Sequence, residues 1–304
     1  MVSEDRIPLE GMEQPVAGLT PRRQAQIETL ARICMDDLLG ACGLGGLRRG
    51  RRLLELLFRI PVRRLAHQIA TYDEIVGESG LGAGGSWALE RMVRRVEVEG
   101  QERVPRDGPL LLVSNHPGLA DAVALFVATR RPDLHVVAAK WALLDALPNT
   151  SRYLLTVAEG SAGRFGLVRA AAWHLRRGGA VLNFPGGRME PDPAVLPGAV
   201  EALGQWSASV DLFARLAPGL TVVPAVVSGV LSPLALRNPL IYLRRREDDR
   251  RWLASNLQML APALRNVTTK VTFGPPIRAA DAGEAINQRV LAEMRRLIER
   301  CEAR

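Results

Sequence analysis

Of the four histidines in this 304-residue chain, one stands five positions before an aspartate: His116 and Asp121, in LLLVSNHPGLADAVALF. Five residues after His67, His135 and His174 come Tyr72, Lys140 and Gly179, so the pairing is particular to that turn. A carboxylate that meets one imidazole nitrogen keeps it protonated and leaves the other as a base. Taken alone, the pair also fits an ordinary turn histidine followed by an acid placed to suit a helix N-terminus. The second stretch able to do chemistry is AVLNFPGGRMEP, whose Phe184 lies 68 positions after His116. Gly186 and Gly187 let backbone N–H groups approach a ligand closely, and Arg188 offers a cationic fork for a phosphate or carboxylate.

Positioning these groups requires particular elements. LLLVS is a short buried strand; Pro117 stops it, and Gly118 turns the chain into a helix starting near Ala120. His116 then emerges at the end of a strand, with Asp121 in the first turn of the next helix. A second buried strand, Ala180 to Phe184, delivers the Pro-Gly-Gly-Arg turn in the same way. VRRVEVEG, HVVAAK, TVVPAVVSG and TKVTFGPPI are further strand-like runs. Between them lie the helical segments ADAVALFVATRR, FGLVRAAAWHLRRGG, PGAVEALGQWSASVDLFARL and DDRRWLASNLQMLAPAL, and a last helix spans about Asp281 to Arg300. This alternation predicts an α/β fold with a mostly parallel or mixed central sheet flanked by helices. Functional groups in such folds gather at loops leaving the carboxyl ends of strands.

Ahead of that domain the pattern is helical. Residues 1–19 read as a flexible leader, and Thr20-Pro21 is an N-cap followed by proline in the first turn of a helix. LRRGRRLLELLFRIPVRRLAHQIATYDEIV reads as two shorter helices divided at Pro61, and the glycines of GESGLGAGG mark a boundary. The expected organisation is a leader (1–19), an N-terminal helical region (20–85) and an α/β domain (86–304).

Composition narrows the function. The chain is 47% hydrophobic and 24% charged, as a globular protein is, with a net charge of +8 carried almost wholly by arginine. Over residues 1–100 the charges cancel, 14 Arg against 14 Asp plus Glu, yet Leu47 to Arg64 holds seven arginines and the single acid Glu55. The basic excess is therefore local. Arginines flank Leu53, Leu54, Leu56, Leu57, Phe58 and Ile60, which suits either an interfacial helix on an anionic bilayer or a helix packed on the main domain. No apolar run reaches the roughly 18–20 residues of a spanning helix. Three scattered cysteines match a reducing compartment and supply no metal-ligand cluster. An RNA-binding reading finds little support, because aromatic content is 5% and the basic stretch lacks interleaved aromatics.

Together and in this order, the two blocks resemble the glycerolipid (PlsC-type, 1-acylglycerol-3-phosphate) acyltransferase family. Its pattern is N-H-x-x-x-x-D, then a strand into F-P-E-G-T-R, then a V-P strand. The matching positions are Asn115, His116 and Asp121; Phe184, Pro185 and Gly187; and VVPAV at 222–226. The resemblance covers roughly residues 93 to 280. It implies transfer of an acyl group from a thioester of coenzyme A or acyl carrier protein to a hydroxyl. His116 would be the general base and Asp121 its orienting partner, without metal or redox cofactor. Backbone N–H groups around Gly186 and Gly187 would face the oxyanion. The resemblance further implies a lyso-lipid acceptor, an anionic membrane surface as partner, no nucleic acid, and a cytoplasmic site at the inner face of the membrane.

The chain departs from the family where acceptors are recognised. The motif glutamate is Gly186 here, Arg188 stands one position early, and Glu190 follows in the same loop. A family arginine on a strand before the lead-in helix finds Glu159 in its place, with Arg164 the first substitute and Arg152 and Arg169 nearby. Lys140 resembles a recurrent family lysine, as an anchor for a phosphate or as a solvated strand end. A hydrolase using the same dyad stays open, although no G-x-S-x-G nucleophile elbow is present.

Overall fold

The structure, a computed structural model, describes residues 20–47, 49–157, 160–282 and 286–302. The leader expected over 1–19 lies outside them. The elements follow in order: α1 (Pro21–Ala41), α2 (Arg51–Met92), β1 (Arg95–Glu99), β2 (Leu110–Ser114), α3 (Asp121–Thr129), β3 (Leu134–Ala139), α4 (Ala142–Asp145) and β4 (Leu154–Val157). Then come α5 (Gly160–Arg176), β5 (Ala180–Asn183), α6 (Ala199–Ala202), α7 (Ser209–Leu216), β6 (Thr221–Ser228) and α8 (Pro233–Leu236). The last are α9 (Glu247–Leu260), β7 (Thr268–Phe273), β8 (Ile277–Arg278), α10 (Ala279–Ala282) and α11 (Ile286–Glu302).

One sheet runs β1-β7-β6-β2-β5-β3-β4, with β8 also paired to β6. The five strands β2 to β6 are parallel, while β7 and β8 pair antiparallel with β6 and β1 pairs parallel with β7. The mixed α/β architecture expected from the sequence is the one observed. Strand β2 is buried on both faces, which accounts for its continuous apolar run. Leu110 and Leu112 face a core shared with α2 and α3, whereas Leu111 and Val113 face a second core with α5, α7 and α11. Pro224 sits inside β6 between residues paired to β8 (221–222) and to β7 (225–228), a gap in the ladder where its missing N–H is tolerated.

Four sequence expectations need correction. The helix expected to split at Pro61 continues through it, because Leu54, Phe58, Val62 and Leu65 pack into one apolar cluster with α1. That packing offsets an interior proline's cost of about 3 kcal/mol. The glycine-rich segment 77–85, expected as a boundary, is helical on both sides of one break, a kink at Gly80 (φ 83°). Gly84 and Gly85 are buried; a Cβ at Gly85 would lie 3.0 Å from Val127 Cγ2, so Gly85 lets α2 lie close against α3, whereas Gly84 makes room for Val76 and Tyr72 of α2 itself. The segment 197–216, expected as one helix, divides into α6, a 3₁₀ turn (Leu203–Gln205) and α7. LLTV, absent from the predicted strands, forms edge strand β4.

Candidate active site

The end of β2 is fastened before it turns. Asn115 is buried, its Nδ2 donating to the Val227 carbonyl (2.9 Å) and its Oδ1 accepting from the Val227 N–H (2.8 Å). The side chain thus behaves as an extra rung between β2 and β6. Asn115 was expected at the substrate; in the structure its amide is taken up by the sheet, which aims the next residue.

That residue is His116. Its Nδ1 lies 2.8 Å from Asp121 Oδ2, so the turn brings together the two side chains that the spacing singled out. Asp121 is fully buried at the start of α3, where the positive end of the helix dipole favours an anion. Its Oδ2 also accepts from Gly118 N (3.0 Å) and its Oδ1 from Ala122 N (2.5 Å). A carboxylate is an acceptor only, so Nδ1 carries the proton and Nε2 keeps its lone pair. Gly118 is required here for space, because a Cβ would sit 2.6 Å from Val230 Cγ1.

His116 is pulled in two directions. Burial pushes its pKa down, yet the Asp121 charge, the Asp121 hydrogen bond and the Glu190 charge together raise it above the ordinary 6.5. The side chain remains 31% accessible, open enough for a substrate to reach. Phe184, at the end of β5, places its ring 4.7 Å from the imidazole at a 34° tilt. The two motif blocks therefore meet at the carboxyl ends of adjacent parallel strands, β2 and β5.

Glu190 closes the constellation. Its Oε2 accepts from the His116 backbone N–H (2.9 Å), its own N–H donates to the His116 carbonyl (2.8 Å), and its Oε1 accepts from Trp206 Nε1. Burial raises its pKa, and the Trp206 and His116 hydrogen bonds work against that. A Cβ at Gly186 would fall on the Glu190 carboxylate, so the absence of a side chain at 186 and the position of Glu190 belong together. Asp192, also buried, accepts from Gly229 N (2.8 Å), Val230 N (2.6 Å), Leu231 N (2.9 Å) and Ala194 N (3.0 Å), fixing the loop after β6 beside the site.

The glycine turn differs from expectation in one respect. Gly187 (φ 63°) uses its N–H on the Phe184 carbonyl (3.0 Å), closing a tight turn, so that N–H is not an oxyanion donor. The turn does not use the N–H of Gly186. Pro185 is buried and its carbonyl accepts from Ser207 N (3.1 Å). Arg188 is half exposed, donates to Gln205 Oε1 and lies 3.9 Å from Asp248. Lys140 is exposed just past the carboxyl end of β3, two strands from β2 on the same sheet edge. Arg164 belongs to α5, but its side chain lies outside the described residues. The sequence held no signal for Trp206 or Asp192, whose roles depend on contacts across loops. Glu190 was visible only as a nearby acid.

The Acyltransferase family model matches residues 95–228, a span that contains His116, Asp121, Phe184, Arg188 and Glu190. The crystal structure of the 1-acyl-sn-glycerophosphate (LPA) acyltransferase PlsC from Thermotoga maritima is similar over 93% of this chain and 98% of that chain, with 18% identity and a TM-score of 0.48. No curated protein sequence matches. Over residues 95–228 the chain is similar to the Acyltransferase family, and an enzyme of that kind is what the match supports.

Proposed function

We propose that this domain moves a fatty acyl group from an acyl thioester, on coenzyme A or acyl carrier protein, to a hydroxyl of a lysophospholipid or related lyso-lipid. The observation that carries the reading is the 2.8 Å contact between His116 and Asp121 within an acyltransferase domain. His116 Nε2 takes the acceptor's hydroxyl proton as its oxygen attacks the thioester carbonyl carbon. The carbonyl π pair moves to oxygen, giving a tetrahedral oxyanion, and Asp121 stabilises the imidazolium. Collapse re-forms the carbonyl, breaks the C–S bond, and returns the proton from the imidazolium to the departing thiolate.

Arg188 suits the acceptor's anionic head group, being half exposed, bonded to the neutral amide of Gln205 and 3.9 Å from the Asp248 carboxylate. Lys140 is a second cation on the same edge for a phosphate of the donor. No metal or redox group enters the scheme. The lipid is met at an anionic membrane surface, on the cytoplasmic side. Among the described residues no helix is long and apolar enough to cross a membrane. The exposed stripe Leu53, Leu56, Leu57 and Ile60 on α2 (63–71% accessible), flanked by exposed Arg52, Arg59, Arg63 and Arg64, fits such a surface.

The test is transfer from labelled acyl-CoA or acyl carrier protein to a panel of lyso-lipids, beside His116→Ala. Loss of a general base lowers the rate by about 100- to 10,000-fold. Release of free fatty acid without transfer would assign the dyad to hydrolysis. Undiminished transfer by the variant would exclude His116 as the base.

A further inference from the structure

Residues 233–246, PLALRNPLIYLRRR, contain four arginines and no acid. They form α8 and a 3₁₀ turn (Pro239–Leu243) on the way from β6 to α9. Their small inward residues do the packing: Ala235 and Ile241 are buried in the cluster that holds Leu38, Leu39 and Val62 of the helical pair, with Leu54 and Phe58 against it. The large residues point the other way. Leu234, Leu240, Tyr242 and Leu243 are 42–67% accessible, and Arg237, Arg245 and Arg246 are exposed among them.

The position of this segment matters as much as its composition. At one end, residues 229–231 are held by Asp192 of the catalytic loop, and Asp248 lies opposite Arg188. At the other, the Arg244 guanidinium lies against the turn after α1, since a Cβ at Gly43 would meet Arg244 Nη1 at 2.5 Å. Arg244 is also bonded to Asp249 (2.6 Å), and Arg250 lies 5.2 Å from the Tyr242 ring centroid. The segment is thus a fixed bridge from the active-site loop to the helical pair.

We infer that residues 233–246 are a second bilayer contact, in which Leu234, Leu240, Tyr242 and Leu243 enter the interface of an anionic phospholipid membrane and Arg237, Arg245 and Arg246 meet its phosphates. This rests on the reading of the enzyme as one that draws its acceptor from a lipid surface. Charge complementarity selects the occupant: apolar side chains interleaved with exposed arginines fit anionic head groups over a hydrocarbon layer. The bulk apolar groups sit on rigid, capped turns, with Ser232 Oγ accepting from Ala235 N and Asn238 Oδ1 from Leu240 N, so inserting them requires no refolding. A contact beside Arg188 brings the lipid surface to the mouth of the site.

The test is sedimentation of the full chain with phosphatidylglycerol-containing vesicles and with phosphatidylcholine vesicles. Arg245→Ala/Arg246→Ala is expected to weaken anionic-vesicle binding about 30-fold, at about fivefold per arginine. Leu240→Ser/Tyr242→Ser/Leu243→Ser is expected to weaken it at least about tenfold. Both variants should keep transfer to a detergent-dispersed lyso-lipid within about twofold of the parent, since neither touches the dyad. As a measurement that does not depend on a loss, Leu240→Cys carrying a polarity-sensitive dye should shift to the blue on anionic vesicles. Cys34 and Cys42 are buried and react poorly, and the half-buried Cys301 is first replaced by serine.

Unchanged vesicle binding in both variants, or a dye that does not respond, overturns the proposal and leaves α2 as the contact. A concentration-dependent dimer abolished by the triple variant overturns it too, by assigning the face to a second copy. Vesicle binding that follows these variants in a protein without transfer activity leaves the contact standing and removes the lyso-lipid reading instead.

Discussion

A single imidazole carries the proposed chemistry, and three neighbouring side chains decide how it works. Asp121 sets its tautomer, Asn115 sets the strand end that bears it, and Glu190 grips its backbone from both sides. The raised pKa of His116 has a kinetic consequence. The neutral base forms only above that pKa, so kcat/KM should fall as pH drops through a value above the ordinary 6.5. Part of the rise comes from the Glu190 charge, so Glu190→Gln should move this acid limb to lower pH. It should also lower the maximum rate, because one amide oxygen cannot accept from both His116 N–H and Trp206 Nε1. A pH–rate profile of both proteins checks this, and an unmoved limb would show that Glu190 only holds the loop. His116, Asp121 and the Phe184 block were legible because their spacing is local and their residue types are unusual for a turn. The fate of Gly187 was not legible, since its N–H was claimed by a carbonyl three residues earlier.

Elements were legible where burial is continuous and obscure where packing overrides propensity. Strands β2, β5 and β6 are apolar apart from the polar residues at their ends, because both faces are covered, and that signal survives in one sequence. Edge strand β4 lacks it. In α2, proline and glycine gave the usual signals of interruption, yet the cluster with α1 holds the chain helical at Pro61 and close contact with α3 explains Gly85. Gly85→Leu therefore should destabilise the protein by about 1–3 kcal/mol, despite leucine's better helix propensity, because Val127 Cγ2 and the Val123 carbonyl occupy the space. Urea unfolding of the variant measures it, and a stability gain would mean that α2 and α3 can separate without loss.

At the scale of the molecule, the helical pair and the sheet domain are not independent. Helix α2 contributes Leu81, Ala88, Leu89 and Met92 to the core beneath β2, and its earlier half joins α1 and α9 in another cluster. Buried Asp73 of α2 accepts from Thr150 N (2.8 Å), Thr150 Oγ1 (2.8 Å) and Asn149 Nδ2 (3.2 Å). Calorimetry should therefore show one unfolding transition. A separate, earlier transition removed by deleting α1 and α2 would show that the pair is only tethered.

The order of apolar strands, turns and helices indicated an α/β fold, and the His116–Asp121 spacing followed by the Phe184 block resembled an acyltransferase family. These signals are local, set by side-chain type over a few residues. Only the tertiary structure decided that Glu190 fills the room left at Gly186, that Asn115 is a rung of the sheet, and that residues 233–246 hold their apolar side chains outward next to the site. Each of these depends on contacts between segments tens of residues apart, and the chain encodes them through the shape of the whole fold.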